Sequence, residues 1–341
     1  MKLLILGGTH FAGRAIVEAA LADGIDVTTL NRGRSTIPGV EVRTLIADRT
    51  DPAELRAALG DEQWDAVIDT WSWAPSVVAA SCALLQGRTS HFGYVSTLSV
   101  YADPVPHEAR EDAPTVDADP DDDQSWTDGP GYQRAKRGAE LAVLRAFEDQ
   151  ALLCRPGLIL GPYENVARLP SWLRRIERGG QVLAPDQPDL PVQYVDVRDM
   201  ARWMLDMAKQ RAGGVFNVVN RAGDSTLGQF LDTAVAVTGS DAELVWVPEQ
   251  VILNAKIEPW TELPLWVPRE WYEPVDVSAA LAAGLSNRTA QETVTDTWAW
   301  LAAEGDPPRR PDRPGPGLPP EKEQAVLAQY LSGAKVDGSG G

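Results

Sequence analysis

Tyr132-Gln133-Arg134-Ala135-Lys136 sets a phenol and an ammonium at positions i and i+4. On a helix these positions share a face. A phenol has a pKa of about 10, and a cation within ~4–6 Å favours its anion. Tyr132 is therefore a candidate proton donor or acceptor near neutrality. A second set of polar groups, Ser96-Thr97-Leu98-Ser99, follows the apolar Tyr94-Val95. Thr97 there reads in two ways, as a hydroxyl for a substrate oxygen at a sheet edge or as a local turn cap. The third set is the turn Gly7-Gly8-Thr9-His10-Phe11-Ala12-Gly13. Such a turn aims backbone N–H groups and the positive end of a helix dipole at one point, which suits a diphosphate.

The elements that must position these groups follow a βα rhythm. Leu3 to Leu6 is an apolar run suited to a strand buried on both faces of a parallel sheet. From Phe11, the residues Phe11, Ala15, Ile16, Ala19 and Ala20 recur at helical spacing. Further strands are expected at 25–30, 41–47, 64–69, 91–96 and 152–160. Asp51-Pro52-Ala53-Glu54 starts a helix with a cap, a proline and a third-position carboxylate. Helices are also expected at 75–85 and 131–148. The alternation predicts an α/β fold with a doubly wound parallel sheet. Beyond it, helices are expected at 169–178, 199–209 and 226–237, and strands at 192–197, 214–219 and 243–247. Thr289-Ala290-Gln291-Glu292 is a capping box opening a last helix through Leu301. The stretch 103–128, rich in Asp, Glu and Pro, reads as an exposed acidic loop and not as a metal site. Residues 306–341 read as a proline-rich tail with a short helix near 321–331.

The chain has 341 residues and a formal charge of -18. A surface this acidic argues against nucleic acid and anionic membranes as partners. Cys82 and Cys154 are too few for a disulfide framework. The apolar start at Leu3–Leu6 is too short for a signal peptide or membrane span. A cytoplasmic protein with a small-molecule substrate is expected.

Together these residues resemble the extended short-chain dehydrogenase/reductase superfamily, in its NAD-dependent epimerase/dehydratase-like branch. Arg155-Pro156-Gly157-Leu158, Val192-Gln193-Tyr194-Val195-Asp196 and Phe216-Asn217-Val218 resemble the branch's later segments. The resemblance implies a Rossmann-type sheet with a smaller C-terminal substrate domain. Residues 1–160 and about 192–220 would bind NAD(P), and 161–191 with about 221–305 would form the substrate domain. It implies Tyr132 as acid/base, Lys136 as the residue that lowers its pKa and holds the nicotinamide ribose, and Thr97 as the catalytic hydroxyl. Gly7 and Gly13 match the outer glycines of the family's Gly-x-x-Gly-x-x-Gly, with Thr9, His10 and Phe11 between them and His10 in the middle glycine's place. Asp48 matches an adenine contact, and Trp71 falls beside the expected nicotinamide. Homodimers are frequent in the branch.

Cofactor choice turns on Leu30-Asn31-Arg32-Gly33-Arg34, where an acid would bind the ribose hydroxyls and repel a 2′-phosphate. Asn31, Arg32 and Arg34 instead favour NADP over NAD, unless both arginines are ordinary solvated charges. Leu98-Ser99 stands where sugar-nucleotide dehydratases carry Asp-Glu, which argues against dehydration. The expected activity is reduction of a carbonyl, or oxidation of the alcohol, in a small-molecule or sugar-like substrate. The alternatives are epimerisation of a nucleotide sugar and, without catalysis, an NADP-binding redox sensor. Trp71, Trp73, Trp172, Trp260, Trp266 and Trp271 are either pocket walls or core. Arg168, Arg174 and Arg175 are either a pyrophosphate grip or exposed helix charges.

Overall fold

The computed structural model describes residues 1–126, 128–307 and 315–337. The chain forms two compact units. The first comprises Met1–Ile159, Tyr194–Val219 and Glu273–Asn287. Its centre is a parallel sheet of β1 (Lys2–Leu6), β2 (Asp26–Asn31), β3 (Arg43–Ile46), β4 (Ala66–Asp69), β5 (Phe92–Val95), β6 (Ala151–Pro156) and the strand Gly214–Val218. In space the order is Gly214–Val218, β6, β5, β4, β1, β2, β3. Leu3 pairs with Val27 on one side and Ala66 on the other, so β1 is central. Burial on both faces then explains why Leu3–Leu6 are all apolar. Leu3 and Ile5 face α1 (Phe11–Ala22) and the helix Val197–Gln210, whereas Leu4 and Leu6 face α2 (Pro52–Leu59), α3 (Pro75–Leu85) and α4 (Gly129–Phe147). Strand order reverses between β1 and β4, which opens a crevice at their C-terminal ends.

Local chemistry fixes the helices that flank this crevice. Asp51 caps α2 by accepting from the N–H groups of Ala53 and Glu54 at 2.8 and 3.2 Å. Asp128 caps α4 by accepting from Gly131 N. At α1 the Ncap residue is His10, and no side chain there makes a cap bond.

Two differences from the sequence reading concern the first unit. Residues 273–287, expected in the substrate domain, belong to the first unit instead. Val275 bridges Ala109, Asn217 Nδ2 donates to Asp276 O at 2.9 Å, and Trp203 Nε1 donates to Ala283 O at 3.1 Å. The apolar Val275, Val277 and Ala280 are buried by this return. The expected strand 152–160 is broken after Pro156, which offers no N–H to a ladder.

The second unit holds Leu160–Gln193, Asn220–Tyr272 and the described residues from 288 on. Its strand Gln181–Pro185, not foreseen, pairs in parallel with Glu243–Val247. Trp172 and Trp266 are core, with indoles donating to Pro264 O and Gln187 Oε1, whereas Trp260 and Trp271 are exposed. The tail carries an 18-residue helix, Pro320–Asp337, longer than the expected 321–331. Buried Glu323 on it accepts from Arg175 Nε at 2.5 Å and Leu183 N at 3.0 Å. Residues 308–314 of the proline-rich stretch lie outside the described residues. No described helix is long and apolar enough to cross a membrane.

Candidate active site

The glycine turn is built by contact, not by flexibility alone. Gly7 and Gly8 have φ of 118° and 99°, which favours glycine. A Cβ on Gly13 would lie 2.7 Å from Gly8 N and 2.9 Å from Gly8 Cα. Gly13 therefore lets the first turn of α1 close onto the β1 end. Phe11, at φ 32°, holds a strained backbone where α1 starts. Such strain costs of order 1–3 kcal/mol and concentrates at functional sites. With no side chain capping α1, the first N–H groups and the dipole end have the geometry for an anion. On these observations the turn fits a dinucleotide diphosphate. Gly13→Ala is expected to cost about 1–3 kcal/mol of stability, read as a lower urea midpoint. An unchanged midpoint would show that the turn has slack.

His10 does not disrupt this turn. Its φ and ψ of -131° and 146° are extended, so the backbone does not call for glycine there. Its Nδ1 lies 3.0 Å from Thr9 Oγ1, which also accepts from Ser35 Oγ at 3.0 Å. Ser35, which sequence reasoning did not single out, thus ties the turn to the loop after β2. In that loop Asn31 Oδ1 accepts from Gly33 N at 2.8 Å, and Arg32 and Arg34 are exposed. Asp48 Oδ1 accepts from both the hydroxyl and the N–H of Thr50. These bonds hold the Asp48 carboxyl below its usual range, helped by the Arg32 and Arg34 charges. Asp48 thus partly offsets the two arginines that it faces.

The candidate catalytic groups are organised by one face of α4. Tyr132, Lys136 and Glu140 follow one another at four-residue steps. Lys136 is buried, and its Nζ donates to Trp71 O and Val95 O, both at 2.7 Å. The ammonium also sits 4.8 Å from the centre of the Tyr94 ring. Burial pulls its pKa down to about 7, against the opposing pull of Asp69, Glu140 and Cys154. Thr97, at the end of β5, accepts from Ser99 N and donates to Ser99 Oγ, each at 3.2 Å. Its local capping role is therefore present in the fold. Trp71 is held on three sides: its N donates to Asp69 Oδ1 at 2.9 Å, its O also accepts from Tyr94 Oη at 3.0 Å, and its Nε1 donates to Ala74 O at 3.0 Å.

Several residues here escaped the sequence reading. Trp126, at the end of the acidic loop, meets the Tyr132 ring edge-on at 5.1 Å and donates Nε1 to Ser72 O. The loop is mostly exposed, yet Asp122 O accepts from Ser76 N at the start of α3 and Asp121 pairs with Arg145 on α4. Trp71 and Trp73 pack edge-to-face with centres 5.3 Å apart. Glu140 is fully buried and accepts a two-pronged pair from Arg155 at 2.8 and 2.9 Å, plus Ser96 Oγ at 2.7 Å. The only signal for Glu140 was its place on the Tyr132–Lys136 face. In the second unit, Arg174 and Arg175 are engaged with Asp306 and Glu323, which speaks against a pyrophosphate grip. Arg168 lies over the Trp260 ring at 5.2 Å.

A family model described as "NAD dependent epimerase/dehydratase family" matches residues 3–219. No curated protein sequence matches the chain. Among solved structures, a putative epimerase from Burkholderia cenocepacia J2315 is 21% identical, with 89% of this chain and 98% of that chain covered and a TM-score of 0.67. The Bordetella bronchiseptica enzyme WbmH, solved with NAD+, is 17% identical over 89% and 99% of the two chains, with a TM-score of 0.68. A UDP-glucose 4-epimerase from Thermotoga maritima, solved with UDP-glucose, is 16% identical over 90% and 100%, with a TM-score of 0.67. At these identities the likeness speaks for the fold.

Proposed function

This chain belongs to the NAD dependent epimerase/dehydratase family, and on that footing we propose that it reduces a carbonyl, or oxidises the alcohol, of a small-molecule or sugar-like substrate, with Tyr132 as acid/base. The observation that carries this reading is the α4 face, where Tyr132 lies one turn from a buried ammonium fixed on two carbonyl oxygens. When bound, the nicotinamide cofactor supplies hydride to the reacting carbon or accepts it. In the reducing direction, Tyr132 Oη gives its proton to the carbonyl oxygen, and the charge of Lys136 stabilises the phenolate left behind. The Thr97 hydroxyl turns from Ser99 Oγ to the substrate oxygen and orients it. Trp126 supplies apolar wall beside the phenol.

Gly7, Thr9, His10, Phe11 and Gly13 would hold the diphosphate, Asn31, Arg32 and Arg34 the adenosine ribose, Asp48 the adenine, and Trp71 and Lys136 the nicotinamide end. The two exposed arginines favour NADP over NAD. Arg32→Ala is then expected to weaken NADPH binding roughly 10–100-fold, the worth of a charge-assisted hydrogen bond. NADH binding would change little. Equal losses for both cofactors, measured by titration calorimetry, would remove the basis for NADP.

A second reading, epimerisation of a nucleotide sugar, is favoured by the UDP-glucose 4-epimerases among the structural neighbours. Both readings use the same residues and differ in redox balance. A panel of carbonyl compounds and UDP-sugars, run with NADPH and NADH, separates them. Stoichiometric loss of reduced cofactor supports the reductase, and a changed sugar without net cofactor turnover supports the epimerase. No turnover by wild type on any substrate, with tight cofactor binding, would favour a redox sensor.

A further inference from the structure

We propose that the buried Arg49–Asp69 pair is a positioning device for the reaction: acting through Trp71, it fixes the Lys136 ammonium and keeps it charged. This rests on Tyr132 and Lys136 being the reacting pair. Asp69 ends β4 and is fully buried. Its two oxygens accept from Arg49 Nη1 and Nη2 at 2.7 and 2.6 Å, and Nη2 also donates to Ser81 Oγ at 2.8 Å. The Arg49 guanidinium lies 5.0 Å from the centre of the Trp71 ring. Asp69 Oδ1 further accepts from Trp71 N, and Trp71 O accepts from Lys136 Nζ. The pair therefore grips both the peptide and the ring of the residue that holds the ammonium.

Packing alone does not account for two charges at this place. A buried ion pair gives little net stability over an apolar pair of similar volume, because desolvation offsets the attraction. Here Arg49 Nε is even left without a partner. What the pair supplies is a fixed negative end near Lys136. The direct partners of that ammonium, two carbonyl oxygens and the Tyr94 ring face, carry no formal charge. The groups that face it electrostatically are Asp69 from β4, Glu140 from its own helix and the Cys154 thiol from β6. Burial keeps the Tyr94 phenol on β5 neutral, and the Tyr132 phenol lies one turn before Lys136 on α4. Glu140 is compensated by two guanidinium groups, Arg155 and Arg137, whereas Asp69 faces one. Asp69 is accordingly the leading favourable charge for Lys136. The sign follows: a negative neighbour favours the ammonium, so its removal lowers the pKa of Lys136.

The test reads the charge directly. The chain has six lysines, so a 13Cε-lysine NMR titration of the cofactor-free protein resolves them, with Lys136→Met as the assignment variant. In wild type one lysine is expected to titrate near 7. In Asp69→Asn that titration is expected to move down by about one pH unit, a roughly tenfold smaller charged fraction above the midpoint. Because Asp69→Asn leaves Arg49 buried and unpaired, Arg49→Met/Asp69→Asn is the companion variant; it removes both charges and is expected to move Lys136 the same way. The alkaline limb of the kcat profile should follow, with activity recovering toward low pH. A lysine titration unmoved in either folded variant would overturn the charge role. A moved titration with an unmoved kcat limb would overturn its place in the reaction. A wild type without turnover would count against the functional reading alone, because the NMR titration needs no substrate.

Discussion

Tyr132→Phe is expected to cut turnover by about a thousandfold while leaving cofactor binding intact. The change removes one oxygen and keeps the ring that meets Trp126 edge-on. Proton transfer from a positioned side chain contributes about 10²–10⁴-fold, so kcat should fall by roughly a thousandfold. On the proposed assignment, the dissociation constant for NADPH or NADH should stay within about twofold, since the glycine turn around Gly7 and Gly13 is untouched. The measurement pairs single-turnover kinetics with titration calorimetry on the same preparation. A kcat reduced less than about tenfold would take the acid/base role from Tyr132. A parallel loss of cofactor affinity would instead assign the phenol a binding role. Lys136→Met gives a useful contrast. It leaves Trp71 O without its ammonium and Tyr132 without its cation, so both affinity and kcat should fall.

Much of this site could be read from the chain because its signals are local. Leu3–Leu6 followed by Gly7 reports a buried strand and a turn within a few residues, and the Thr289 capping box appears as expected. Tyr132 and Lys136 are likewise visible as one helix face. Partners distant in sequence left no such mark. Arg175 reads from sequence as either a charge for a ligand or an exposed helix charge, yet Glu323 takes it from 148 residues away. Trp126 lay in a stretch that composition marks as solvated, and only the fold brings it to Tyr132. Val275 and Val277 carry no sign of which unit will bury them, and they return to the first. Gln181–Pro185 has three apolar residues in a row, too few to separate a strand from a loop, and it needs Glu243–Val247 beside it. Asp69 looked like a strand end. Its meaning comes from Arg49, contributed by a different loop.

Arg155→Ala is expected to destabilise the protein by about 3–5 kcal/mol, the cost of leaving a buried carboxylate without its main partner. Glu140 is fully buried and Arg155 is 2% exposed, so water cannot replace the lost guanidinium without opening the core. The same guanidinium donates to Tyr101 Oη at 3.2 Å and Glu111 O at 3.1 Å, and Tyr101 Oη donates in turn to Asn217 Oδ1 at 2.6 Å. Its loss therefore loosens β6, the strand Gly214–Val218 and the acidic loop together. Glu140→Gln/Arg155→Met removes both charges at similar volume and should recover most of the stability, since the pair itself is worth little beyond apolar packing. The expected catalytic outcome differs between the two variants. Ser96 Oγ donates to Glu140 and is the residue before Thr97. The double variant keeps an acceptor for Ser96, the amide oxygen that replaces the carboxylate, and should retain the placement of the Thr97 hydroxyl. A single variant less than about 1 kcal/mol less stable in urea unfolding would mean that Arg137, at 2.8 Å, carries Glu140 alone. In that case the Thr97 turn is held by Arg137 through α4 itself, and not across the sheet by β6.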